Sequence, residues 1–324
     1  MAEPVVLASM AFVIACACAL IMGYAIQRGA TCLVAAVDEV LVKRRAKRFI
    51  ALGEAAIWVA GSIFVWRFFG GEPTLPIGYP TTFAAAAGGV LLGLGALVSG
   101  ACVFGAVARF GSGEWVFVLV PLGFFLGCWT ILPMIGSLPP KHAMSPPLFA
   151  ESWLLWPFAL VAAWRVYEAV QAARRGGLAA HIWSPHRATA IIGIVFGISV
   201  LAIGPWAYTY ALAALAQGTT NGVIPKLVLL VALLAGALAG GWTAGRFALR
   251  APSVALVARS LAGGVLMGWG SLLIPGGNDE LLLIGIPMLQ PYAWVAVAAM
   301  AVAIAVGRVG ERRFASLVER LRLR

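Results

Sequence analysis

Charged residues punctuate this chain at wide intervals, and the stretches between them are long runs of apolar side chains. The first run, 5–26, holds 22 residues without a charge. At about 1.5 Å per residue it can cross a hydrocarbon layer about 30 Å thick. Comparable runs lie at about 49–69, 83–100, 115–134, 152–170, 188–203, 227–245, 253–274 and 292–307, so nine spanning helices are predicted. Four apolar pieces between them, 30–42, 101–110, 206–216 and 279–289, are too short to cross alone and read as half-helices or re-entrant segments. The expected fold is an all-α polytopic membrane protein of about nine transmembrane helices plus short broken helices.

Composition removes the soluble alternative. Of 324 residues, 62% are hydrophobic and 11% charged, where a soluble domain carries roughly 25% charged residues. No single globular core could hide that much apolar surface. The net charge of +11 does not point to nucleic acid, because the 23 Lys and Arg fall in short clusters between the apolar runs. Threading nine spans puts Lys43, Arg44, Arg45, Lys47, Arg48, Arg109, Arg174, Arg175, Arg187, Arg246, Arg250 and the tail from Arg308 on one side, leaving Lys141 and Lys226 on the other. The positive-inside rule then places the amino terminus outside and the carboxyl terminus in the cytoplasm. Five scattered cysteines describe no disulfide framework. His142, His181 and His186 fall in predicted solvated loops, away from ligand spacing, so neither a metal site nor a cofactor is expected.

The chain also matches itself. Gly88, Gly89, Gly93 and Gly95 align with Gly263, Gly264, Gly268 and Gly270, and the residues between them are similar. Each copy sits in the third span of a four-span half and runs into a short half-helix. The single span at 152–170 separates the halves, and an odd connector makes the second half enter from the opposite face. The expectation is a pair of inverted repeats, 1–150 and 188–324, joined by a connector span and basic loop at 151–187. Such repeats with discontinuous helices are common among transporters, whose solute site lies where the repeats meet.

Chemistry concentrates at the helix breaks. The segments 23–32 and 99–111 each place glycine a few residues before a cysteine, Cys32 or Cys102, at the start of a short helix. Free N–H groups there can hold an anion without a buried cation. An adjacent thiol is a weak, polarizable donor suited to sulfur. In the first half Gly100, Ala101 and the two cysteines are therefore candidate solute contacts. In the second half Gly276, Gly277 and Asn278 are, with Cys102 falling on Gly277 in repeat register. Asn278 and Asp279 can also cap the helix that follows them. Arg28, Arg109 and Asp279 are candidates for shaping the electrostatics of the path. Cys16, Cys18 and Cys128 lie within continuous apolar runs and read as small hydrophobes. Glu54 is expected to pair with a basic residue, and Arg165 with Glu168 three positions on.

With Gln27-Arg28 to Cys32, Gly88 to Gly113 and Gly263 to Leu283 in view, the chain resembles the YeeE/YedE family of bacterial inner-membrane sulfur transporters, characterised members of which take up thiosulfate. The resemblance implies two inverted halves in an hourglass, with short helices meeting mid-membrane and thiosulfate passing along cysteines by S–H to sulfur contacts. Cys32 and Cys102 take the places of two family cysteines. The third has no equivalent, since Gly276-Gly277-Asn278-Asp279 stands there, which leaves the solute open between thiosulfate, a related sulfur-containing anion and another small solute.

The expected function is thus import of a small inorganic sulfur-containing anion, with the lipid bilayer as surroundings and no catalytic residues. Two other readings use the same residues. Cys102 could carry a persulfide for a cytoplasmic sulfur-handling protein, or the glycines could serve helix packing alone in a scaffold that transports nothing.

Overall fold

The computed structural model describes residues 9–72, 78–135, 153, 155–219 and 222–322. Lys141 and His142 lie outside them. Among the described residues all regular secondary structure is helical. Helix α1 (Met10–Gly29) begins at Ser9, whose hydroxyl accepts from the Phe12 N–H at 3.2 Å. It ends at Ala30 in the left-handed region (φ 46°), and after Cys32 the chain restarts as α2 (Leu33–Lys43). Helix α3 (Lys47–Phe68) follows, then α4 (Phe83–Ser99), a break at Gly100 (φ 72°), α5 (Val103–Gly111) and α6 (Leu119–Ile135).

Beyond α7 (Leu155–Arg174) and the short α8 (Leu178–Ile182), the same order recurs. Helix α9 (Pro185–Ile203) breaks at Gly204 (φ 84°) before α10 (Tyr208–Ala216), and α11 (Val223–Thr243) follows. Then come α12 (Val254–Leu273), a break through Gly277, the three-residue α13 (Asn278–Glu280) with a π turn (Leu281–Gly285), and α14 (Pro291–Arg322). All four short pieces expected from the sequence are therefore separate helical segments.

Among the described residues, eight helical segments meet the length and apolarity of a membrane span: Met10–Lys43, Lys47–Phe68, Phe83–Gly111, Trp115–Ile135, Pro185–Ile203, Val223–Thr243, Val254–Leu273 and Pro291–Ser316. The expected ninth corresponds to α7, which places Arg165, Glu168 and Arg174 within 20 residues and buries none of them.

Ion pairs tie helix α7 to its neighbours. Arg165 donates to Glu54 of α3 through Nε at 2.7 Å and also through Nη2, and its Nη1 donates to Glu168 at 2.7 Å. Arg187 reaches Glu168 at 3.3 Å. The expected pairing of Glu54 with a basic residue and of Arg165 with Glu168 is present. His186 is not in a loop as expected. Pro185, favoured at a first helical position, starts α9 and puts the His186 ring 2.7 Å from the Glu54 carboxylate.

The matched glycines bring α4 and α12 into contact. A Cβ on Gly95 would lie 2.5 Å from the Gly263 carbonyl oxygen, and one on Gly263 would lie 2.5 Å from that of Gly95. Gly88 and Gly270 stand in the same reciprocal relation, at 2.6 and 2.5 Å. Since 88 meets 270 while 95 meets 263, the two helices run antiparallel. Their other faces also correspond: Gly89 and Gly93 lie on the backbone of α14 at Ala296 and Met300, and Gly264 and Gly268 on α6 at Val120 and Phe124. Small residues permit this approach, and a β-branched side chain would force the backbones apart. Gly95→Val is expected to destabilise the protein by about 1–3 kcal/mol. Thermal melting of the purified protein is the measurement, and an unchanged midpoint would show that the crossing has room to spare.

The remaining packing falls into corresponding pairs. Helix α1 packs on α9 and α11, as α9 does on α1 and α3; α4 packs on α12 and α14, as α12 does on α4 and α6. Helix α10 packs on α6 and α11, as α2 does on α14 and α3. Helices α2 and α10 are thereby each held between two long helices.

Candidate functional site

The four breaks converge, and each of the first three short helices has an early N–H group satisfied by a residue from another break. The Leu33 N–H, first in α2, donates to Cys102 Sγ at 3.3 Å. The Val103 N–H, first in α5, donates to Asn278 Oδ1 at 3.3 Å. The Thr209 N–H in α10 donates to Asp279 Oδ2 at 3.4 Å, and the Thr209 hydroxyl also bonds that carboxylate. Tyr208 closes the set, its hydroxyl donating to the Val103 carbonyl at 2.9 Å. These cross-connections correct one expectation: Asn278 and Asp279 cap α5 and α10 rather than the helix they begin, whose own N-cap is Gly277.

Within this junction Cys102 Sγ accepts from the N–H of Leu33, the residue after Cys32, which brings the two cysteines to the same place. The Cys32 sulfur lies over Gly105, where a Cβ would come within 2.7 Å of it. Cys102 is 0% exposed and Ala101 1%, whereas Cys32 is partly exposed. Gly100 turns the chain in the left-handed region, which glycine adopts without strain. Asn278 is 0% exposed, and its Nδ2 is buried without a hydrogen-bond partner. An unused amide donor at the start of α5, next in the chain to Cys102, is an unfilled place for an acceptor, because a buried donor left unpaired costs free energy.

Two cavities approach the junction. A cavity of about 410 Å³ reaches Cys32 and is lined by Thr31, Thr189, Lys47, Arg48, His186 and Arg187. A smaller one of about 70 Å³ reaches Gly276 and Gly277 between Thr209, Tyr79, Tyr210 and Glu280. Cys32 lines the first cavity and Thr209 the second.

The arginines singled out in the sequence stand at the edges of this arrangement. Arg109 is engaged by Glu114 through two bonds of 3.2 and 2.7 Å and lies 4.1 Å over the Phe117 ring, an anchor for the end of α5. The Arg28 guanidinium lies 5.7 Å from the Tyr24 ring centroid. Cys16 and Cys18 lie inside α1, and Cys128 lies in α6 against Ser271 at 3.5 Å. Sequence reasoning missed Tyr208, Thr209 and Glu280. The first two open α10 directly after its N-cap Ala207, the counterpart of the N-cap Cys32 of α2, so the order of elements contained a signal. Among the described residues no group of three His, Cys, Asp or Glu could hold a metal ion.

An all-helical multi-pass protein whose broken helices meet around two thiols and a free amide has the build of a membrane transport protein. The chain belongs to the sulphur transport family, YeeE/YedE, whose family model matches residues 28–306. No curated protein matches it. Family membership makes it a sulfur-transport membrane protein and implies transport rather than catalysis.

Proposed function

We propose that this protein is a bacterial inner-membrane permease that brings thiosulfate or a related small sulfur-containing anion into the cytoplasm. The carrying observation is the junction itself, where Cys32, Cys102 and the unpartnered Asn278 amide are brought together from separate helix breaks. Cys32 and Cys102 offer S–H groups to the sulfur end of the solute. The Asn278 amide and backbone N–H groups near Gly100, Ala101, Gly276 and Gly277 hold the oxyanion end. Neutral donors suit this task, since they stabilise a passing anion without trapping it as a buried cation would.

The reading includes two inverted halves, 1–150 and 188–324, joined through 151–187. It is supported by the antiparallel crossing of the matched helices and by packing pairs that exchange when the halves are exchanged. The larger cavity, with Lys47, Arg48 and Arg187, faces the cytoplasm by the charge rule, and the smaller cavity faces outward. Full burial of Cys102 speaks against its trading persulfide sulfur with a protein partner, which requires access.

Uptake of labelled thiosulfate by cells lacking other importers tests the reading. Cys32→Ala and Cys102→Ala are each expected to lower uptake about tenfold or more, equivalent to losing about 1.4 kcal/mol of contact. Uptake unchanged in both variants would reject the thiol role.

A further inference from the structure

Glu280 has no part in the scheme above, yet its side chain occupies the scheme's second-half seat. It folds back from the end of α13 so that a Cβ on Gly276 would lie 3.1 Å from its Oε2. That oxygen is buried and has no hydrogen-bond partner. The carboxylate lines the small cavity with Gly276, Gly277, Thr209, Tyr79 and Tyr210. The charged and titratable groups around it are Asp279 beside it in the chain, Lys226 of α11, Tyr210 of α10, Tyr79 and Tyr292 of α14. Lys226 lies over the Tyr210 ring, its Nζ 4.5 Å from the centroid.

A carboxylate against Gly276 is itself an anion at the place where a solute anion would be held. Two negative charges side by side in a water-poor cavity repel strongly, and binding of one disfavours the other. A protonated carboxyl removes that charge and offers an O–H donor. We propose that Glu280 is the proton-binding gate of the passage: ionised, it blocks the Gly276–Gly277 seat, and protonated from the cavity water, it admits the anion. This rests on the transport reading above and adds a residue that decides when the path is open.

The test is anion flux into proteoliposomes containing the full-length protein, across a panel of thiosulfate, sulfate and nitrate, at several values of external pH. Because the protonated form passes the anion, wild-type flux is expected to rise as pH falls, by up to about tenfold per unit while most Glu280 is ionised. Glu280→Gln supplies an amide donor in place of the carboxyl O–H and cannot ionise, so its flux is expected to be nearly independent of pH and to exceed wild type at alkaline pH. Glu280→Asp is expected to keep the pH slope. If Glu280→Gln does not fold, Glu280→Ala serves as the neutral variant. A flat wild-type profile, a neutral variant that keeps the wild-type slope, or a folded neutral variant without flux would each overturn the gate. Passage of sulfate or nitrate but not thiosulfate would remove the assigned solute and leave the gate to be judged on the anion carried. Passage of no anion would overturn both.

Discussion

Arg165→Leu is expected to cost the folded protein about 1–3 kcal/mol, the range for leaving a buried polar group short of its hydrogen bonds. Glu54 lies inside α3 at 7% exposure, and Arg165 supplies two of its hydrogen bonds. Without that guanidinium the carboxylate keeps His186 and a 3.4 Å bond from the Trp58 indole. Helix α7 loses its ion pair to α3 at the same time and keeps the edge-on contact of Phe158 with Trp58. Thermal melting of the purified protein measures the loss, and the double variant Glu54→Leu/Arg165→Leu should recover part of it because neither charge is then stranded. A single variant that melts like wild type would mean that α7 is held by other contacts.

Asn278→Asp is expected to fold and to lose thiosulfate uptake by about a hundredfold, the equivalent of one hydrogen bond to a charged group near the top of its usual range. A carboxylate can still accept from the Val103 N–H, preserving the cap on α5. It replaces the free Nδ2 donor with a negative charge beside the path. Asn278→Leu separates the two roles from the other direction, since it strands the buried Val103 N–H at a cost of about 1–3 kcal/mol. Melting distinguishes the two variants and uptake is the functional readout. An Asn278→Asp protein that transports as wild type would show that the solute does not meet this side chain.

Much of the architecture was legible before any coordinates. The short helices could be recognised because their apolar runs are too brief to span, and Gly100, Gly204 and Gly277 mark three of the interruptions. The glycines of α4 and α12 matched in register because both helices meet the same packing demand against each other. Helix α7 is less apolar than most of the other long helices because it carries Arg165, Glu168 and Arg174, two of which serve the ion-pair cluster. Asn278 was identified as a site residue, but its capping partner was sought in its own helix. The partner, Val103, is 175 residues away, a distance over which local pattern carries no information.

The linear pattern determined that the chain lives in a membrane, where its helices stop, and which residues stand at the stops, because each of these depends on hydropathy and backbone preference within a few neighbours. Only the tertiary structure decided that Cys102 caps the helix that Cys32 precedes, that Asn278 keeps a free donor and that Glu280 covers Gly276. Those relations join residues from different helix breaks or depend on how a side chain folds within the cavity, and both are set by which helices cross and how closely glycine lets them approach.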